Sequence, residues 1–182
     1  ASLIGAELAT NPDLATLPIA AMVVGTALGT IPISLITKSI GRKSSYILFC
    51  LVGAMACWSI GYALELKSFL LFCISTGIIG VCLAAIQQFR FAAMESVSTD
   101  KGPSAASIVL LGGVIAAVIG PELAVIGKTY TGVEYQGSFW LAGASFCLAA
   151  LLLLFLRSTA DSTQEQTQGG RTFGEIFKGN RL

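Results

Sequence analysis

Residues 38–43, Lys-Ser-Ile-Gly-Arg-Lys, form a short basic joint between two apolar stretches that are each long enough to cross a lipid bilayer. A helix needs about 20 mostly apolar residues to span the hydrocarbon core, where every backbone polar group must find its partner within the segment. Stretches that meet this requirement lie near residues 15–37, 45–65, 68–94, 104–126 and 137–157. The sequence therefore predicts an all-α integral membrane protein.

The composition agrees with this fold class. Of the 182 residues, 54% are hydrophobic and only 12% are charged, whereas soluble globular proteins carry about 25% charged residues. The mean hydropathy is +0.80, so the lipid bilayer is the expected solvent. The formal net charge is only +1, which does not indicate nucleic acid as a partner.

Cysteine and histidine usage argues against metal and catalytic sites. The five cysteines all lie in apolar stretches without CxxC spacing, so we interpret them as buried free thiols. The absence of histidine from the sequence excludes a His-containing metal site or catalytic triad. The sequence also has no GxxxxGK[ST] loop and no paired carboxylates on one apolar helix. We therefore expect no metal, no cofactor and no enzymatic activity.

Lysine and arginine are distributed unevenly between the two sides of the membrane. Nine lie on the side of residues 38–43 and two on the other. The nine are Lys38, Arg42, Lys43, Arg90, Lys101, Arg157, Arg171, Lys178 and Arg181, and the two are Lys67 and Lys128. Because these residues are enriched in cytoplasmic loops, we expect residues 38–43 and the C-terminal tail to be cytoplasmic, at the plasma or inner membrane.

The basic joint resembles the most specific signature of the major facilitator superfamily, whose members have two six-helix halves. That signature, Gly-x-x-x-Asp-Arg-x-Gly-Arg-Lys/Arg, lies on the cytoplasmic side between the second and third helices. Its last three positions are matched by Gly41, Arg42 and Lys43, and its first Gly, its Asp and its first Arg are replaced by Ser34, Lys38 and Ser39. On this joint alone, a plain positive-inside anchor is the alternative.

The resemblance implies that the chain is a fragment of the N-terminal half of such a transporter. Residues 1–157 would form the six-helix half, with the second to sixth helices complete and only the end of the first helix present. Residues 158–182 would be a cytoplasmic linker towards a missing C-terminal half. The polar, Gln/Ser/Thr/Gly-rich composition after Arg157 agrees with a linker.

The resemblance also predicts a gating loop, composed of Lys38, Gly41, Arg42, Lys43 and Glu95. In the family, the Asp of the signature takes part in a charge relay that latches the two halves together. Lys38 reverses that charge, so a different latch is expected here. Glu95, at the cytoplasmic end of the third span, is the predicted partner of Lys38 or Arg42.

A second similarity to the family lies in what would be the fifth helix, where a Gly-x-x-x-Gly-Pro segment is linked with exchangers. Pro121 removes an intrahelical hydrogen bond and permits a kink, and Gly120 leaves room for it. The following residues, Glu122 and Leu123, are not the usual glycines, so we interpret the segment as a bending point and not as proof of antiport. The predicted bending residues are Gly112, Ala116, Gly120 and Pro121.

Small residues recur at every fourth position in two of the spans, a pattern that allows helix backbones to approach closely in lipid. The first stripe is Ala21, Gly25 and Gly29, and the second is Gly112, Ala116 and Gly120. Either stripe can pack within this bundle or against helices outside the chain. The sequence leaves both alternatives open.

Polar residues at membrane depth are the candidates for contact with a solute. Gln87, Gln88 and Arg90 lie near the cytoplasmic end of the third span, where ionisable residues tend to face a water-filled cavity or a partner. Arg90 alternatively extends to the membrane interface. Glu122 lies about one turn from the outer end of its helix, and is either a proton-coupling acid or a carboxylate exposed in an outer vestibule.

Together these features favour a secondary transporter that moves a small solute by alternating access. The expected partners are the solute, a coupling ion such as a proton, the lipid bilayer and the missing C-terminal half, with no nucleic acid. One alternative is a non-transporting receptor or sensor on a transporter scaffold. An integral membrane enzyme is a less favoured alternative.

Overall fold

The structure, a computed structural model, describes residues 2–9, 12–95, 97–98 and 101–155. The described elements are α1 (Ser2–Leu8), a 3-10 turn (Pro12–Leu14), α2 (Leu17–Ile40), α3 (Arg42–Glu65), α4 (Phe69–Gln87), α5 (Phe89–Glu95), α6 (Gly102–Lys128) and α7 (Gln136–Phe155). Five of them, α2, α3, α4, α6 and α7, are long and apolar enough to cross a membrane. The prediction of an all-α fold with five spans is thus confirmed, whereas the predicted linker at 158–182 lies outside the described residues.

A single glycine makes the turn between α2 and α3. Gly41 has φ of 81° and ψ of 157°, a backbone conformation that is essentially restricted to glycine. It terminates α2 and directly precedes the first turn of α3, so the basic residues of the joint occupy the ends of two helices. Between α3 and α4, Lys67 also adopts a positive φ, of 50°, and the hydroxyl of Ser68 accepts a hydrogen bond from the Leu71 amide at 3.4 Å.

The third apolar stretch is interrupted, so the prediction of one helix over 68–94 was wrong in this respect. α4 ends at Gln87 and α5 starts at Phe89. The Gln88 amide donates to the Ala85 carbonyl at 3.1 Å, three residues back, which tightens the helix locally. Beside the break, the Phe89 ring packs edge-on against Tyr46 of α3, with 4.5 Å between ring centroids. No Gly or Pro lies at this break, so the local sequence gives no sign of it. The contact between Phe89 and Tyr46 accompanies the break.

Glycines bring the backbones of α2 and α4 into contact. A Cβ atom at Gly25 would overlap the carbonyl oxygen of Gly77, and one at Gly80 would overlap the carbonyl oxygen of Met22. The Thr26 hydroxyl lies 2.9 Å from the Met22 carbonyl and 3.0 Å from the Gly80 carbonyl, so it can donate to either helix. The first small-residue stripe therefore packs inside the described bundle. For this stripe, packing within the chain is thus the correct alternative.

Tryptophan side chains lie against glycines where α3 and α7 pack together. Trp140 of α7 covers Gly61 of α3, and Trp58 of α3 covers Gly143 of α7, where a Cβ would come within 2.6 Å of the indole nitrogen. Each of the two helices thus contributes a tryptophan that packs on a glycine of the other helix. In lipid, where expulsion of water does not hold helices together, such fitted contacts supply much of the packing energy.

The buried residues form one cluster near each end of the bundle. The cluster at the end of α3 consists of Ile4, Ile60, Ala63, Leu64 and Phe72, and the cluster at the start of α3 consists of Ile33, Phe49, Ala84 and Ala85. α6 is the exception to this compact packing. It contacts mainly α5 and α7, and its residues 107–126 are all exposed among the described residues.

The α2–α4 contact predicts opposite outcomes for two alanine substitutions in the same helix. Gly80→Ala places a methyl group against the Met22 carbonyl and should destabilise the protein by about 1–3 kcal/mol. Gly77→Ala is the matched control, because its nearest neighbour would be the Ala21 carbonyl oxygen at an ordinary 3.6 Å. Thermal unfolding of the complete protein in detergent should show a lower midpoint for Gly80→Ala alone, and equal midpoints would contradict this packing.

Candidate functional site

Most of the predicted functional residues lie at one end of the bundle, which we call the basic end. The basic end comprises residues 38–43, the α4–α5 junction at 87–89, and the part of α7 around Leu154. Contacts among the described residues join these pieces. Lys43 donates from its Nζ to the Leu154 carbonyl at 2.8 Å, and Phe89 packs on Tyr46. The chain thus brings its basic joint beside the polar residues that follow α4.

Lys43 links two helices that are far apart in the sequence. Its ammonium group binds the Leu154 carbonyl and so ties the start of α3 to α7. A residue predicted for gating therefore also has a role in holding two helices together.

The structure describes the other predicted gating residues only in part. Lys38 lies in the last turn of α2, and both Lys38 and Arg42 are exposed. Glu95 is the last residue of α5, but its side chain lies outside the described part of the structure. The pairing of Glu95 with Lys38 or Arg42 therefore stays a prediction.

The polar residues predicted to face a solute surround the break between α4 and α5. Gln87 ends α4 and is exposed, Gln88 occupies the break and is half-buried, and Arg90 lies in the first turn of α5. The side chain of Arg90 is outside the described part, whereas that of Phe91 is 54% exposed. The sequence predicted one continuous helix for these residues, whereas the structure places Gln88 between α4 and α5 and Arg90 on α5.

The predicted bending residues and Glu122 lie on the part of α6 that lacks described neighbours. A Cβ at Gly112 or Gly120 would meet no atom within 4 Å among the described residues. Pro121 and Glu122 are likewise exposed. The second small-residue stripe therefore differs from the first, since it has no packing partner in the described chain.

The end of the bundle opposite the basic end contains polar contacts that sequence reasoning missed. The buried Gln136 side chain donates from Nε2 to the Gly61 carbonyl at 3.3 Å and to Glu65 Oε2 at 3.2 Å. The Ser138 hydroxyl donates to the Ala124 carbonyl at 2.6 Å. Both residues lie at the start of an apolar span. Polar side chains are expected there because the water interface is near, so the sequence did not single them out. The neighbouring glycines, Gly127 and Gly137, were the available signal of close contact.

An open apolar groove of about 490 Å³ runs between α2 and α4. Its lining residues are Leu17, Ala21, Val24, Gly25, Leu28, Cys73, Ile74, Gly77, Ile78 and Val81. None of these is charged, and none was predicted to contact a solute. The groove is therefore separate from the polar junction at the basic end.

Possible metal ligands do not cluster in the described residues. Over residues 2–9, 12–95, 97–98 and 101–155, no group of three or more His, Cys, Asp or Glu side chains could hold a metal ion. All five cysteines are free thiols, four of them buried and Cys147 half-buried. The side chains available to bind a solute at the basic end are therefore amide, cationic and aromatic groups.

Comparisons with known proteins place this arrangement in context. The family description of the Major Facilitator Superfamily matches residues 1–181. The riboflavin transporter RfnT of Brucella anthropi is 34% identical over 184 residues, which cover 99% of this chain and 46% of that protein. The uncharacterized MFS-type transporter YddS of Bacillus subtilis is 26% identical over 161 residues, which cover 86% of this chain and 37% of that protein. No solved structure shows significant similarity to the chain.

The family match extends over nearly the whole chain, and the chain spans less than half the length of either relative. The similarity to transporters agrees with the five apolar helices and indicates a transporter rather than an enzyme. The resemblance first seen at residues 38–43 is thereby confirmed. This chain belongs to the Major Facilitator Superfamily of membrane transporters.

Proposed function

We propose that the complete protein to which this chain contributes is a secondary transporter that moves a small solute by alternating access, and that riboflavin is its solute. The observation that carries the choice of solute is the 34% identity to a riboflavin transporter across 99% of this chain. The family similarity supports the mechanism, because its members enclose the solute between two halves that rock around it. The present chain supplies part of the N-terminal half.

The polar junction at the basic end has chemistry that suits a flavin. The pyrimidine edge of the flavin ring carries carbonyl groups and an N–H, and the amides of Gln87 and Gln88 offer both donors and acceptors to such an edge. Aromatic rings stack favourably on planar solutes, and Phe91 is exposed beside the junction. Arg90 adds a cation that can donate to a carbonyl or attract a counter-ion.

The proposed orientation places the basic end in the cytoplasm of the plasma or inner membrane. Lys38, Arg42, Lys43 and Lys101 lie at the basic-end termini of their helices, and Lys67 and Lys128 lie at the opposite end. This grouping supports the unequal count made from the sequence, because lysine and arginine favour cytoplasmic loops. Residues 158–182 would then continue as a cytoplasmic linker to the C-terminal half.

Uptake of riboflavin tests the proposal directly. The complete gene should restore growth and uptake of labelled riboflavin in a bacterium that can neither make nor import it. Arg90→Ala should lower uptake about tenfold, the effect of about 1.4 kcal/mol of lost interaction. Lys101→Ala, an exposed basic residue at the start of α6, is the matched control and should leave uptake unchanged. A transporter that reaches the membrane without importing riboflavin would exclude this solute.

Coupling to protons is proposed to pass through Glu122. This carboxylate follows Pro121 and is exposed on a face of α6 without described neighbours, so water and protons can reach it when the site opens outwards. Glu122→Gln keeps the shape and removes the charge. In vesicles with an imposed pH gradient, it should abolish gradient-driven accumulation while exchange of solute across the membrane continues.

Glu7→Gln is the control for this experiment, because Glu7 is exposed at the same end of the bundle. It should accumulate solute as the unsubstituted protein does. Normal accumulation by Glu122→Gln would instead assign that residue to a water-exposed vestibule.

The latch is proposed to be an ion pair between Lys38 and Glu95. Lys38→Glu alone creates like charges and should slow transport about five- to tenfold, the size expected for a loss of about 1–1.4 kcal/mol. The exchanged pair, Lys38→Glu with Glu95→Lys, should recover most of the rate, because the attraction is restored with the signs reversed. If the double variant is as slow as the product of the two single effects, the residues do not pair.

A further inference from the structure

α6 is attached near its two ends and has no described packing partners along most of its length. At its start, Gly102 is buried and a Cβ there would lie 3.6 Å from the Met94 carbonyl of α5. At its end, Gly127 is buried against α7. Between these points, residues 107–126 are all exposed in the described chain. Within the described chain, the helix is thus held near its termini.

The attachment to α7 is made by two backbones in direct contact and by one hydrogen bond. A Cβ at Gly127 would overlap the Ser138 amide, and a Cβ at Gly137 would overlap the Gly127 carbonyl. Within this contact, the Ser138 hydroxyl donates to the Ala124 carbonyl at 2.6 Å. The last turn of α6 is therefore bound to the first turn of α7.

α7 is itself fixed to α3, so its first turn is a rigid support. Gln136, only 5% exposed, donates to the Gly61 carbonyl and to Glu65 at the end of α3. Below it, Trp140 covers Gly61. A salt bridge of 2.8 Å between Lys128 and Glu134 adds a further link between the end of α6 and the connection to α7.

Pro121 lies within α6, just before the segment that Ser138 holds. Pro121 has no amide hydrogen, so the carbonyl four residues earlier, at Ala117, loses its helical partner and the helix can hinge there. Ala124 lies three residues after the proline. The hydrogen bond from Ser138 therefore anchors the post-proline part of α6, residues 122–128, and leaves the pre-proline part, residues 102–120, on the other side of the hinge.

A break between two helices lies at the other end of the pre-proline part. α5 packs mainly against α6, and it is separated from α4 by the break at Gln88. The pre-proline part of α6 thus lies between two interruptions, Gln88 before α5 and Pro121 within α6. Phe89 at the start of α5 also packs against Tyr46 of α3. The polar junction proposed to meet the solute lies at the first of these interruptions.

We propose that Ser138 is a positioning residue for transport: its hydrogen bond to Ala124 holds the post-proline part of α6 on α7, so that bending at Gly120–Pro121 moves α5 and the pre-proline part of α6. This inference rests on the proposed function, because the movement is assigned to the transport cycle. Loss of the bond lets the post-proline part follow the bend, and the movement is no longer transmitted to the polar junction.

A double-mutant cycle in the complete transporter tests this role. Ser138→Ala should lower the kcat of riboflavin transport about fivefold with KM unchanged within about twofold, since about 1 kcal/mol of coupling is lost. Pro121→Ala restores an amide donor to the Ala117 carbonyl, so it should stiffen α6 and itself slow transport. Adding Ser138→Ala to Pro121→Ala should have no further effect, because the serine acts only through the bend. Effects of the two substitutions that multiply would overturn the proposal.

Ser145→Ala is the matched control, since it makes the same change on the same helix. The Ser145 hydroxyl donates to the Leu141 carbonyl at 3.0 Å within α7 and reaches no other helix. Its kcat should equal that of the unsubstituted protein, whereas equal losses in both serine variants would overturn the proposal. Ser138→Thr retains the hydroxyl and should recover most of the rate. Rates are expressed per transporter molecule, so a reduced yield does not change the comparison.

Amide hydrogen exchange provides a measurement that needs no solute. Ser138→Ala should accelerate exchange of residues 122–128, while Ser145→Ala should leave it unchanged. Unaltered exchange in Ser138→Ala would show that the bond does not anchor α6 and would overturn the proposal. Accelerated exchange together with absence of riboflavin uptake by the unsubstituted protein would instead retain the anchor and reject riboflavin as the solute.

Discussion

Close packing against glycine, by a neighbouring backbone or by a tryptophan ring, is the constraint on which the described bundle depends. In a bilayer, apolar side chains gain little by leaving lipid, so helices associate where their surfaces fit closely. Gly80 meets the Met22 carbonyl, Trp140 covers Gly61, and Gly127 meets the first turn of α7. These three contacts join α2 to α4, α3 to α7 and α6 to α7. Each requires a hydrogen atom in place of a side chain, so a methyl group at any of them separates two helices.

The polar contacts between helices that the described residues make at Lys43, Gln136 and Thr26 lie at helix ends or beside glycines. Lys43 reaches the Leu154 carbonyl at one end, Gln136 reaches Gly61 at the other, and Thr26 lies between two carbonyls at the closest approach of α2 and α4. Individual hydrogen bonds between membrane helices contribute only about 0.6 kcal/mol on average. Their value here is geometric, because each selects one relative position among those that smooth helix surfaces would allow.

The number of spans and the basic joint could be predicted because they depend on local rules: hydropathy over about 20 residues and charge bias. The joint also matched the family at Gly41, Arg42 and Lys43. The break at Gln88 could not be predicted, because Gln and Phe are acceptable in a helix and the contact with Tyr46 is distant in sequence. The two small-residue stripes look alike in sequence, and only the fold distinguishes Gly25, which meets α4, from Gly120, which meets no described residue. Ser138 escaped notice because its partner is a backbone carbonyl, which leaves no trace in side-chain composition.

The reciprocal contacts between α3 and α7 also constrain how the protein is made. Gly61 and Trp140 are 79 positions apart in the chain. A ribosome adding about 5–20 residues per second needs roughly 4–16 s to cover that distance. During this interval the surface of α3 at Gly61 lacks the indole that covers it in the folded protein. α3 therefore makes this contact only after the next two apolar stretches and the start of α7 have been synthesised.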